Sequence, residues 1–186
     1  MVTAARRPTE TLGNMHATIR NARPSDAAAL CEAERAIVRS FDGLLVSEPD
    51  ELTELAFAER IDMQTSGQTK VLVVELGGQV IAHASVYPMG LRKVAHVLRL
   101  DMCVHLGHWG HGYGTQLLVG LLGWARQNPN AHKVELLVRS TNAAAIAIYE
   151  HAGFVHEGRF KDRVRLRDGR FIDDLGMGLV LRKHVA

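Results

Sequence analysis

The stretch that most restricts the fold is one in which the backbone periodicity changes twice. "VAHVLRLDMCVH" (residues 94–105) reads as an extended strand, "GHWGHGYGT" (107–115) carries glycines at 107, 110, 112 and 114, and "QLLVGLLGWA" (116–125) has helical apolar spacing. A glycine-rich turn that opens a helix gathers unpaired N–H groups at the positive end of the helix dipole. Such a turn suits an anion, phosphate above all.

Two common phosphate motifs fail on spacing. The dinucleotide fingerprint Gly-x-Gly-x-x-Gly needs a third glycine where Thr115 stands when counted from Gly110, or Leu117 when counted from Gly112. The Walker A loop needs a lysine, and none lies between Lys93 and Lys133.

The rest of the chain supplies the context. A short strand is expected at about Thr18–Asn21, then a helix that Pro24, Ser25 and Asp26 introduce and that runs through Ala36. A second helix is expected from Asp50 to about Met63. "KVLVVEL" and "VIAHASVYP", split by Gly77 and Gly78, read as a hairpin. The glycine loop leads into a helix from about Gly114 to Gln127, followed by the strand "KVELLVR" and a helix over "STNAAAIAIYEHAGF" that Gly153 stops. Two alternating strands around Asp168-Gly169 close the chain. The order is β-α-α-β-β-β-α-β-α-β-β. Arg159, Lys161, Arg163 and Arg165 alternate along the first of the closing strands, which would put them on one face.

Two motifs now carry a resemblance. Gly112 and Gly114, with Thr115 and the leucines after them, resemble the pyrophosphate loop Arg/Gln-x-x-Gly-x-Gly/Ala of the GNAT superfamily of acyl-CoA-dependent N-acetyltransferases, with Trp109 at the leading Arg/Gln position. Asn142, Ala145, Tyr149 and the Gly153-Phe154 pair resemble that family's Asn-x-x-Ala-x-x-x-Tyr-x-x-x-Gly-Phe segment. The resemblance spans about residues 17–183, and "RDGRFIDDLGMGL" is similar to the subset related to phosphinothricin and amino-acid acetyltransferases. It implies an α/β (α+β) architecture: a central mixed, mostly antiparallel, twisted sheet of six to seven strands flanked by about four helices.

The resemblance also implies a chemistry. Acetyl-CoA is the expected co-substrate and a primary amine of a small molecule the expected acceptor. The pyrophosphate would rest on the backbone of Trp109, Gly110, His111, Gly112, Tyr113 and Gly114, with Thr115 adding a hydroxyl and His111 some positive charge. Met102, Cys103 and Val104 would face the pantetheine arm, and Asn142 would bond to it. Tyr149 is the expected general acid. Asp101 is the expected base, with His83, His96 and His105 as rivals. Direct transfer in a ternary complex is expected, because neither cysteine stands in a recognisable nucleophile–base arrangement. A protein or peptide acetyltransferase, or a noncatalytic acyl-CoA-binding module, would use the same framework.

Composition narrows the partners. With 22 basic and 20 acidic residues the net charge is +2, which gives no case for nucleic-acid binding. Cys31 and Cys103 have no metal or redox spacing, so free thiols and a cytoplasmic location are expected. His105, His108 and His111 recur at intervals of three, but a looped segment does not force them together, and no metal is expected. Residues 1–16 lack the apolar core of a signal peptide and are expected to form a flexible tail before one domain at 17–186. No run is long enough to span a membrane. A homodimer is compatible with the resemblance, although no residue specifies its interface.

Overall fold

The computed structural model describes residues 16–181, so the expected tail at 1–16 lies outside them except for His16. The elements follow in the expected order: β1 (Thr18–Asn21), α1 (Ala27–Ser40), α2 (Glu54–Asp62), β2 (Lys70–Leu76), β3 (Gln79–Pro88), β4 (Val97–Val104), α3 (Tyr113–Gln127), β5 (Lys133–Arg139), α4 (Ala143–His151), β6 (Val155–Arg165) and β7 (Phe171–Val180). Boundaries differ at the first two helices. α1 continues to Ser40, and α2 starts only at Glu54, where the Thr53 side chain accepts from the Ala56 N–H at 3.3 Å and caps it. Residues 41–53 are therefore an irregular connector.

The strands form one sheet ordered β1-β2-β3-β4-β5-β7-β6, antiparallel throughout except between β4 and β5. The continuous apolar run of β2 reflects cover on both faces. Leu72 and Val74 pack with Leu117, Leu118, Leu121 and Leu122 of α3, whereas Val71 and Val73 pack with Leu30 of α1 and Ile61 of α2. Side-chain alternation along β4 divides in the same way. Leu98 and Leu100, with Met102 and Val104, belong to the α3 side, which leaves Arg99, Asp101 and Cys103 toward α1 and α2.

The four basic residues of β6 do not share a face. The register jumps between Phe160 and Val164, with Asp162 at φ 50°, and this irregularity breaks the alternation. Arg159 pairs with Asp173, while Arg163 reaches the neighbouring Asp174, which points the opposite way along β7.

One partly buried charge cluster holds β1 to β2 and to the turn before α1. Asp26 accepts from Arg20 Nη1 at 2.7 Å, from Arg20 Nη2 at 3.0 Å and from the Arg23 N–H at 2.7 Å, while Arg20 Nε donates to Glu75 of β2 at 2.7 Å. The Arg20 hydrogen bond holds the Asp26 carboxyl below its ordinary range. This contribution to stability is present above the unfolded-state carboxylate value and is lost as pH falls through the depressed folded value. Asp26→Asn is expected to cost about 1–3 kcal/mol and to flatten the acid side of the Tm-versus-pH curve. Thermal unfolding of both proteins at stepwise lower pH checks both effects.

Candidate active site

The site begins where two central strands part. β4 and β5 pair only at Val97 with Lys133, Leu98 with Val134 and Arg99 with Glu135. Past that point β4 stays paired with β3 up to Val104, and β5 stays paired with β7 up to Arg139. The edges of β4 and β5 that face each other beyond Leu100 and Leu136 therefore have no strand partner. Such backbone groups need another partner or water. The first turn of α3 and the side of α4 fill the base of the opening: Gly114 approaches Met102, Val104 and Ile148.

A cleft of about 600 Å³ occupies this divergence. Leu100, Asp101, Met102, Cys103 and Val104 line one side, Leu137 and Arg139 of β5 another, and Asn142, Ile148 and Tyr149 the α4 wall. The connector contributes Leu44, Leu45 and Val46, and α1 contributes Glu34. Burial pushes the Arg139 guanidinium down and the Asp174 carboxyl up, each opposed by the other's charge across 2.8 Å. Their pair holds the end of β5 against β7.

The glycine loop forms one end of the cleft. Gly107, Gly110 and Gly112 have φ values of 83°, 81° and 80°, a left-handed backbone that other residues rarely adopt. Gly112 is the N-cap of α3 and has no side chain to offer, so the first N–H groups of the helix, beginning at Tyr113, have no side-chain cap, the arrangement that suits an anion. Gly114 is different: it is helical, and it lies against β4 and α4 with room for a Cβ. Trp109, Gly110, Gly112 and Tyr113 line the cleft. His111 and Thr115 are exposed and stand outside the lining, with the His111 ring stacked on Tyr113 at 5.8 Å. Trp109 donates its indole N–H to the Val104 carbonyl at 2.7 Å and packs on Phe41 of the connector at 5.0 Å.

The expected catalytic side chains reach the same cleft. Tyr149 is only 6% exposed, and burial, reinforced by the charge of Asp101, pushes its phenol well up, so it stays protonated. Asn142 caps α4 by accepting from the Ala145 N–H at 3.1 Å, which leaves its amide NH₂ as the available donor. Asp101 Oδ2 already accepts from Arg60 at 2.7 Å and from the Tyr87 hydroxyl at 2.8 Å. Burial and Asp101 push the Tyr87 phenol up to about 12, so it remains a donor.

Histidines and Cys103 meet on the sheet face toward α1 and α2. His105 lies against His83 and His111 stacks on Tyr113, and among the described residues His105, His108 and His111 form no common cluster. Instead, the antiparallel register sets His83 opposite Cys103, and Glu34, His83 and Cys103 bring one donor atom each within 4.8 Å of one another. This proximity of His83 to Cys103 lies between strands and leaves no trace in sequence spacing. Burial, followed by the charge of Glu34, nevertheless pushes the Cys103 thiol far up, so it is no activated nucleophile. Burial lowers the His105 ring to about 3 and keeps it neutral.

Glu34 and Arg60 were not singled out from the sequence. A signal for Glu34 exists: it stands within the stripe Leu30, Ile37 and Val38 that α1 buries, where a carboxylate is out of place. Arg60 gave no such signal, since its partner Asp101 is 41 residues away.

Comparison with known proteins places this geometry. The model of the "Acetyltransferase (GNAT) family" matches residues 36–154. The L-amino acid N-acetyltransferase AaaT of Escherichia coli (strain K12) is 28% identical over 111 residues, covering 60% of this chain and 68% of that protein. Among solved structures, yncA of Salmonella typhimurium with its cofactor acetyl-CoA is 26% identical at a TM-score of 0.81, covering 94% of this chain and 98% of its own. A ribosomal-protein-alanine N-acetyltransferase from Brucella melitensis is 28% identical at 0.77, covering 88% and 99%. A phosphinothricin acetyltransferase from Sinorhizobium meliloti in complex with acetyl-CoA shares the fold at a TM-score of 0.78, 22% identical, covering 91% of each chain.

The different reasons for the loop glycines can be separated by substitution. A Cβ at Gly112 would meet nothing within 4 Å, so Gly112→Ala is limited by its φ of +80° and is expected to cost about 1–2 kcal/mol. A Cβ at Gly114 would make ordinary contacts of 3.5–3.7 Å. Gly114→Ala is expected to leave stability unchanged or raise it by up to about 1 kcal/mol. Urea denaturation of the two variants distinguishes these outcomes.

Proposed function

The chain belongs to the acetyltransferase (GNAT) family and is an acyltransferase, and from that premise we propose that it moves the acetyl group of acetyl-CoA directly to a primary amine of a small molecule. The observation that carries this reading is the parting of β4 and β5 beside the uncapped start of α3. An extended amide-bearing arm suits the unpaired strand edges, and a pyrophosphate suits the glycine loop. When bound, acetyl-CoA supplies the activated acyl group.

The residues divide the work as follows. Backbone groups of Trp109, Gly110, Gly112, Tyr113 and Gly114 hold the phosphates, with the exposed His111 and Thr115 at the outer edge. Met102, Cys103, Val104 and the Asn142 amide hold the arm, and a backbone N–H near Cys103 polarises the thioester oxygen. Tyr149, kept protonated by burial, gives its proton to the departing sulfur. Asp101 draws the ammonium of the acceptor into the cleft. With Oδ2 taken by two donors, its part is orientation rather than the base role expected from sequence.

A small acceptor is favoured by the connector, which closes over the cleft and is tied down. Asp42 accepts from the Arg167 N–H at 2.8 Å, and the Arg167 guanidinium lies 3.5 Å from the Glu48 carboxylate. The name of the Escherichia coli relative supports an amino acid as the acceptor class. We assign the protein to the cytoplasm and read residues 17–186 as one domain. Among the described residues no helix is long and apolar enough to cross a membrane.

The test is thiol release from acetyl-CoA across amino acids, polyamines, aminoglycosides and short peptides, with acetyl-CoA binding followed by calorimetry. Release that depends on a free small amine is the expected outcome; release on peptides alone would move the acceptor class to proteins, and binding without release would point to a noncatalytic module. Tyr149→Phe is expected to lower kcat by about 100-fold with acetyl-CoA affinity unchanged. Unchanged turnover would remove Tyr149 from the acid role.

A further inference from the structure

The strand register and one helix bring together three side chains that bind metals through different atoms. His83 of β3 stands opposite Cys103 of β4, and residues paired in this way present their side chains on one face of the sheet. Glu34 of α1 reaches the same place, with Oε1 2.9 Å from His83 Nε2. Glu34, His83 and Cys103 each offer one donor atom, and the three atoms lie within 4.8 Å of one another. His83 and Cys103 are buried, whereas Glu34 and Cys103 line the cleft. Glu34 with His83 alone is an ordinary ion pair. The thiol beside them completes a set of one oxygen, one nitrogen and one sulfur.

We propose that Glu34, His83 and Cys103 form a site for a divalent cation of borderline softness, zinc above all, with its fourth position open to the cleft. Thiolate and imidazole select against magnesium and calcium, which prefer oxygen. Zinc takes these three donor types at about 2.0–2.3 Å in a tetrahedron, which sets the donors about 3.3–3.6 Å from one another. The nitrogen–oxygen pair at 2.9 Å is slightly tighter than that. The group that has to retreat is the one with room, since the Glu34 side chain is 20% exposed. Three protein donors and one position for water or a ligand make an open zinc site rather than a closed structural one.

Charge and surroundings fit the ion. Zinc with one carboxylate, one thiolate and one neutral imidazole has no net charge, so burial does not oppose the assembled site as it opposes a bare ion. The Cys103 thiol, which burial and then the charge of Glu34 keep protonated, gives its proton to water as the metal–sulfur bond forms. Coordination through His83 Nε2 places the ring proton on Nδ1, 2.9 Å from His105 Nε2. A hydrogen bond from the far ring nitrogen is what orients a metal-binding imidazole. Burial keeps His105 neutral, so it accepts that bond without adding charge. Arg60 and Asp101 border the same recess, and their charges offset each other across 2.7 Å.

The experiment uses cobalt(II) as a spectroscopic substitute for zinc, added to the full chain after chelator treatment, in a non-thiol reductant and without acetyl-CoA or amine. Binding at the site is expected to give a thiolate-to-cobalt charge-transfer band in the near ultraviolet, together with the intense visible bands of tetrahedral cobalt. Equimolar zinc should abolish both. Cys103→Ser is expected to lose the charge-transfer band, and Cys31→Ser to keep it. Glu34→Gln is expected to bind cobalt at least about 10-fold more weakly. All three replacements are close in size to the native residues, and far-ultraviolet circular dichroism verifies that each variant is folded. A wild type without the charge-transfer band, a band that zinc does not remove, the same band in Cys103→Ser, its loss in Cys31→Ser, or undiminished affinity in Glu34→Gln overturns the site. No acetyl transfer enters the measurement, so none of these results bears on the transferase reading.

Discussion

The cleft of this protein depends on one interruption in a hydrogen-bonded sheet. Three register pairs hold β4 to β5, and then the strands part while each keeps its other neighbour. Unpaired backbone polar groups in a protein interior are costly. The structure tolerates them because they line a cleft and because flanking ladders fix both strands. Trp109 takes up one of these groups, the Val104 carbonyl, and its ring rests on Phe41. The same residue thus joins the glycine loop to the connector.

The two faces of the sheet have different duties. On one face the leucines of α3 pack against β2 and β4 in a continuous apolar core. On the other, β3 and β4 carry His83, Asp101 and Cys103, which α1 and α2 meet with Glu34 and Arg60. Buried polar groups specify structure only when each finds a partner. On this face the bonds run across elements: Asp101 with Arg60 and Tyr87, His83 with Glu34 and His105. The polar face is also the one that borders the cleft, so its hydrogen bonds set both packing and charge at the site.

Legibility varied with the range of the interaction. The Gly77-Gly78 hairpin, the helix opened at Gly112 and stopped near Gln127, and the α4 segment from Asn142 to Gly153 follow local rules, and all appear where the residues put them. The start of α2 was misplaced because Pro49 and Asp50 look like a helix entry, whereas the cap that forms is Thr53. The basic stripe on β6 failed for a related reason: a strand irregularity at Asp162 cannot be read from alternation.

The sequence by itself determined the order of elements, the glycine loop before α3 and the family resemblance carried by Gly112, Gly114, Asn142 and Tyr149, because turns, caps and periodicity are interactions between near neighbours in the chain. Only the tertiary structure decided that Cys103 lies opposite His83, that Glu34 reaches across from α1, and that Arg60 and Tyr87 engage Asp101. Those contacts join residues from separate helices and strands. Their geometry is set by strand register and by the parting of β4 from β5, quantities that depend on the whole sheet and on no single segment of it.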